Sequence, residues 1–194
     1  MTKEQILKTF EETAALLTGH FILTSGLHSD RYFQGAKVLQ HPHIAGKLCA
    51  QIGNHFKEQG VGAVIAPAVG GIIVTHEVAK TLGVRAIFAE REQGRMILRR
   101  GFEISPNDNI LVVEDVITTG GSVREVIDLV KSLDGNVVGV GCLVDRSGGQ
   151  ADFGTPLFSL IQLTIQTFPP QDCPLCRQGL PAIKPGSRGL VKNG

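Results

Sequence analysis

Residues 111–122 run LVVEDVITTGGS, and no other stretch limits the possible folds as tightly. The pattern predicts a buried strand over 110–113 that ends in two acids, Glu114 and Asp115. Small, permissive residues follow, with Gly120 and Gly121 adjacent. Two neighbouring glycines let the backbone curl so that successive N–H groups turn inward, a concavity that binds anions. Ser122 and Glu125 fit a capping box, so a helix is expected to open there. Val123, Val126, Ile127, Val130 and Leu133 mark its buried face over 123–133. A strand that feeds a helix through such a turn belongs to an open α/β sheet, whose ligands bind at the carboxyl ends of the strands.

The turn suits phosphate, because a helix N-terminus offers free N–H donors and partial positive charge. Two carboxylates beside it would repel phosphate alone. They make sense if the ligand also carries hydroxyls, or a centre that becomes positive during reaction. A ribose 5-phosphate supplies both, with its phosphate in the turn and its 2- and 3-hydroxyls donating to Glu114 and Asp115. Each such bond to a charged group contributes on the order of 1.5–3 kcal/mol. A plain surface turn before a capped helix is the competing explanation. The whole string of apolar residues, acids, threonines and glycines argues against it.

The flanking chain repeats strand, loop and helix. Strands are expected at 63–66, 84–90 and 137–144, and helices at 43–59 and 72–82, with Gly60 and Gly83 as stops. The strands are nearly continuous in apolar residues, as in a parallel sheet covered on both faces. Residues 92–108 form a long basic excursion, read as a hairpin. Residues 3–17 have helical spacing, 19–34 read as short strands joined by turns, and 157–168 as a further strand. Residues 169–194 read as an extended tail. The expected architecture is one α/β domain over 1–194. Its central parallel sheet spans about 41–149, and a small hood is built from about 1–40 and 150–194.

Composition narrows the functional classes. The net charge of +1 over 194 residues provides no field for nucleic acid or an anionic membrane. No apolar run reaches the ~18 residues of a membrane span. The acidic, helical N-terminus is unlike a secretory signal, so a cytoplasmic setting is expected.

VVEDVITTGGS resembles the phosphoribosyl diphosphate (PRPP) signature of type I phosphoribosyltransferases. The resemblance implies a central parallel sheet flanked by helices, a hood over the site and a mobile loop that closes on it. It implies that Glu114, Asp115, Val116, Ile117, Thr118, Thr119, Gly120, Gly121 and Ser122 hold the ribose 5-phosphate of PRPP.

Nearly the whole chain resembles the orotate-specific branch of that family. HFILTSGLHSDRYF at 20–33 is similar to its hood segment, and Tyr32 and Phe33 match an aromatic pair near orotate. Hood core is the alternative role for that pair. Thr24 stands where many members carry lysine. APAVGG at 66–71 matches the pyrophosphate loop, formed by Ala68, Val69, Gly70 and Gly71, with a strained or cis peptide implied at Ala68–Val69. Residues 91–101 take the place of the catalytic loop. There Arg91, Arg95, Arg99 and Arg100 would stabilise the departing pyrophosphate, as Asp115 would the developing positive charge. The family loop reaches into the partner subunit, which implies a homodimer. Arg146 matches the arginine that pairs with the orotate carboxylate, and Thr118 a further orotate contact. A local Asp145–Arg146 pair is the alternative.

The implied reaction moves ribose 5-phosphate from PRPP to orotate with Mg²⁺, giving orotidine 5-phosphate and pyrophosphate in pyrimidine (UMP) biosynthesis. A purine or xanthine phosphoribosyltransferase and a PRPP-fold nucleotide-sensing regulator are the rivals. No protein-bound metal is expected. The CPLC at 173–176 is a single C-x-x-C with no His or Cys after it, whereas tetrahedral zinc needs four ligands. Reduced thiols are expected, with two subunits pooling their pairs as the alternative. The six histidines show no ligand spacing, and His28 is placed to approach substrate.

Overall fold

The computed structural model describes residues 1–185. Helix α1 (Lys3–Glu12) opens on a Thr2 capping box closed by Gln5. It ends five residues before the expected apolar stripe does, because Ala14 adopts a positive φ of 53° and turns the chain into a strand. That strand, β1 (Leu16–Ile22), pairs antiparallel with β2 (His28–Phe33). Two helices follow, α2 (Gly35–Leu39) and α3 (Pro42–Phe56); the first is one turn that the sequence pattern did not announce.

The central unit is β3 (Ala63–Pro67), α4 (Gly71–Leu82), β4 (Arg85–Glu92), β5 (Arg95–Leu98), β6 (Asn109–Ile117), α5 (Gly121–Ser132) and β7 (Asn136–Asp145). The edge strand β8 (Leu157–Gln162) completes a six-stranded sheet of order β5-β4-β3-β6-β7-β8. All its neighbours are parallel except the β4–β5 hairpin. The expected hood at 150–194 therefore begins later, since 157–162 continue the main sheet. Strand β9 (Thr167–Phe168) pairs with β2 to make a separate three-stranded sheet. A single turn of helix, α6 (Pro174–Arg177), follows it.

Pleat alternation distributes the core. Val64, Ala66, Leu111 and Val113 face α1, α3 and α4, whereas Ala63, Ile65, Ile110 and Val112 face α5. Every one of these eight side chains is fully buried. Both faces are thus covered, which leaves the carboxyl edge of the parallel strands as the open place for a ligand. Among the described residues no helix is long and apolar enough to cross a membrane.

Candidate active site

Strand β6 does not stop at Val113. It runs through the acidic pair to Ile117, because Glu114, Val116 and Ile117 all stay in register with β7. The carboxylates are therefore fixed on a paired strand rather than on a loop. The Asp115 N–H donates to Oε1 of Glu114 at 3.1 Å, and the Val116 N–H to Oδ1 of Asp115 at 2.9 Å. Burial, and then the neighbouring Asp115 charge, push the Glu114 carboxyl well above its ordinary range.

Three glycines make room for this pair. A Cβ on Gly70 would lie 3.0 Å from Oδ1 of Asp115, and one on Gly71 3.1 Å from Oε1 of Glu114. A Cβ on Gly35, at the start of α2, would overlap Oδ2 of Asp115. Gly70 and Gly71 belong to the expected pyrophosphate loop, whose Ala68–Val69 peptide is cis. Gly35 was not singled out from sequence, where nothing local distinguishes it.

The turn after β6 encloses a cavity of about 70 Å³ lined by Glu114 and residues 116–123. The expected capping box is absent. Gly120, at φ 77°, is the N-cap, so the helix begins at Gly121 and leaves Ser122 inside its first turn. The Glu125 carboxylate instead meets Nη2 of Arg91 at 2.7 Å. Arg124 donates to the Thr119 carbonyl at 2.7 Å and lies over the Phe153 ring, which closes against Gly120. These two supports of the turn were also missed, because Phe153 comes from a distant loop.

Thr118 and Thr119 also wall a second cavity of about 420 Å³, shared with Arg146, Ser147, Gln150 and Ala151. Arg146 and Asp145 do not pair. Asp145 Oδ1 accepts from the Ser147 N–H at 2.8 Å, and among the described residues Arg146 has no ion pair. Burial pulls the Arg146 guanidinium below its usual pKa, with Tyr32 near enough to act the opposite way. Among the described residues Nε of Arg146 is enclosed without a partner.

A phosphate-sized cavity and a larger one thus share a wall at the carboxyl edge of the sheet. A phosphoribosyl transferase domain profile matches residues 34–169, which contain all of that wall. The chain belongs to the phosphoribosyltransferase family. A Desulforamulus reducens protein named orotate phosphoribosyltransferase is 59% identical over 98% of this chain and all of its own length. One of the same name from Pelotomaculum thermopropionicum is 55% identical over 98% of this chain and all of its own. Among solved structures, orotate phosphoribosyltransferase from Aeropyrum pernix is 26% identical with a TM-score of 0.68, over 81% of this chain and 93% of its own. Adenine phosphoribosyltransferase from Thermoanaerobacter pseudethanolicus, 17% identical with a TM-score of 0.60 over 69% of this chain and 88% of its own, shares the fold alone. The phosphoribosyltransferase fold by itself does not choose the base.

The structure divides the remaining expected residues of this phosphoribosyltransferase. Adjacent strand residues point to opposite faces. Phe33 is therefore buried edge-to-face on Phe10, at 5.0 Å between centroids, and takes the hood-core role, while Tyr32 packs on Phe21 at the Arg146 side. The four arginines lie on the β4–β5 hairpin and its exit. Arg91 pairs with Glu125, Arg99 with Glu92 at 3.3 Å, and Arg100 with both oxygens of Glu90 at 2.9 Å. Among the described residues Arg95 has no ion pair and lines a groove with Glu125 and Asp128. His28 does not turn toward this site; it faces His20 of β1 and Cys176 of α6.

Proposed function

We propose that this phosphoribosyltransferase transfers ribose 5-phosphate from PRPP to N1 of orotate, giving orotidine 5-phosphate and pyrophosphate. The observation that carries the base assignment is Arg146, half-buried with no carboxylate partner among the described residues and walling the larger cavity beside the phosphate turn. A guanidinium fork meets a carboxylate through two parallel bonds, so it favours orotate over bases that lack one. The relatives above 50% identity carry the same substrate in their names.

The N–H groups of residues 118–122 cradle the 5-phosphate. Asp115 accepts from a ribose hydroxyl and favours positive charge at C1 as the bond to pyrophosphate lengthens. Glu114, which burial and Asp115 keep protonated in the free fold, joins it by giving up that proton as the substrate binds. The backbone of residues 68–71 receives the leaving pyrophosphate, and arginines of the 91–101 hairpin stabilise its growing charge. Closure of that hairpin excludes the water that would otherwise hydrolyse PRPP. Mg²⁺ fits this donor set, since Glu114 offers a hard oxygen at the cavity wall and would hold the ion together with substrate oxygens and water; bound there, it would neutralise pyrophosphate charge.

A homodimer that shares the hairpin suits the surface. Val69 in the pyrophosphate loop is 81% exposed, and Ile73 in the first turn of α4 is 45% exposed. The cytoplasm is the expected compartment. The deciding experiment is pyrophosphate release from orotate, PRPP and Mg²⁺. Turnover with orotate and none with adenine, hypoxanthine or xanthine is expected. Release with a purine but not with orotate would overturn the assignment.

A further inference from the structure

Two histidines from β1 and β2 meet two cysteines from the C-terminal segment, about 150 residues away in sequence, and their four donor atoms lie within 4.8 Å of one another. His20, His28 and Cys173 are buried, whereas Cys176 reaches the surface. None of the four lines either active-site cavity. The geometry points to a tetrahedral Zn²⁺ site of two thiolates and two imidazoles that fastens the C-terminal segment to the hood hairpin.

The backbone assembles the site from both ends. The β1–β2 register slips between Thr18 and Phe21, a bulge that re-aims His20 toward the hood interior. The α6 turn presents Cys173 and Cys176 on one side. The following residues run back along β1, where the Ile183 N–H donates to the His20 carbonyl and the Ile22 N–H to the Ile183 carbonyl, each at 2.8 Å.

The distances suit an ion. Zinc bonds of about 2.0–2.1 Å to nitrogen and 2.3 Å to sulfur give tetrahedral edges of roughly 3.3–3.8 Å. Cys176 Sγ lies 3.3 Å from Nδ1 of His28 and 3.8 Å from Nε2 of His20, and Cys173 Sγ lies 3.6 Å from that same Nε2. The two imidazole nitrogens, at 2.7 Å, are closer than an edge, so binding spreads the rings slightly.

A further contact independently favours a ligand. Nδ1 of His20 is 2.8 Å from the Leu180 carbonyl. A carbonyl only accepts, so Nδ1 carries the proton and Nε2 keeps its lone pair aimed at the cluster. Metal-ligating histidines are held in this way. Two thiolates with two imidazoles select Zn²⁺ over the hard Mg²⁺ of the reaction, and four protein ligands leave no open position. The site is structural.

The test is metal content. Protein expressed with zinc and purified without chelator should hold about one Zn²⁺ per chain, and the C173S/C176S double variant less than about a tenth of that. Reduced apo-protein given Co²⁺ should show the visible bands of tetrahedral cobalt–thiolate coordination. In case the double variant does not fold, wild-type protein stripped by chelator should unfold at lower temperature. Added Zn²⁺ should restore it, and Mg²⁺ should not. A zinc-free wild-type protein that gives no cobalt spectrum, or one whose Cys173 and Cys176 form a disulfide as purified, would overturn the proposal.

Discussion

Gly35 packs against Asp115 with no room for a single methyl group between them: a Cβ there would overlap the carboxylate oxygen. The first turn of α2 therefore sets the position of an acid on β6. Gly35→Ala is expected to push the Asp115 carboxylate out of place. A misplacement near 1 Å costs on the order of a hundredfold in rate. Steady-state kinetics should show kcat/KM reduced about a hundredfold, with the circular dichroism of the fold retained. Wild-type kinetics in that variant would mean that Asp115 has slack.

What could be seen in advance was what neighbours in sequence decide. The run at 63–66, the Gly83 stop and the double glycine at 120–121 each carry their reason within a few residues. The misses came from partners far along the chain. Charged residues after Val113 suggested a strand end, yet pairing with β7 carries β6 through them to Ile117. Ser122 and Glu125 have capping-box spacing, yet Glu125 is claimed by Arg91 from the hairpin. The C-x-x-C had no ligand after it, because its histidine neighbours precede it on β1 and β2. Tyr32 and Phe33 were one motif in sequence, and the pleat sends them to different jobs.

Glu114 gives the free protein a stability that depends on pH. Burial, then Asp115, raise its pKa in the fold above the ordinary value of 4.5. Below that value both folded and unfolded chains hold the proton. As pH rises past it, the unfolded chain ionises first and is favoured, so stability falls through neutrality. One proton accounts for a slope of at most about 1.4 kcal/mol per pH unit. Glu114→Gln should remove this slope, so that the variant exceeds wild type in urea denaturation at pH 8 but not at pH 4, while losing activity. Parallel pH profiles in the two proteins would show that Glu114 is already ionised in the free fold.

Arg146 should separate the two halves of the reaction. Two charge-assisted bonds contribute roughly 3 kcal/mol together, and each 1.4 kcal/mol is tenfold in affinity. Arg146→Ala is expected to raise the KM for orotate about a hundredfold or more, with PRPP binding measured by calorimetry within about threefold of wild type. Arg146→Lys should rescue little, since an ammonium lacks the two-pronged geometry. Unchanged orotate kinetics in the alanine variant would assign the carboxylate to another residue.

Arg95 distinguishes a hairpin acting in its own subunit from one acting in the partner's. Arg91, Arg99 and Arg100 already hold carboxylates, whereas Arg95 has no ion pair among the described residues and is the guanidinium available to pyrophosphate. Arg95→Ala should lower kcat by two to three orders of magnitude, about what one charge-stabilising donor contributes, with a smaller change in KM. The decisive measurement mixes this variant with Arg146→Ala, after both have been dissociated and reassembled. At equal amounts about half the reassembled dimers are mixed in either case, and the two arrangements differ in what a mixed dimer can do. If the hairpin crosses the interface, each mixed dimer has one site with an intact Arg146 and an intact Arg95 supplied by its partner, so about a quarter of wild-type activity should return. If the hairpin serves its own site, every site in the mixture lacks one of the two arginines, and the activity should stay at the level of the separate variants.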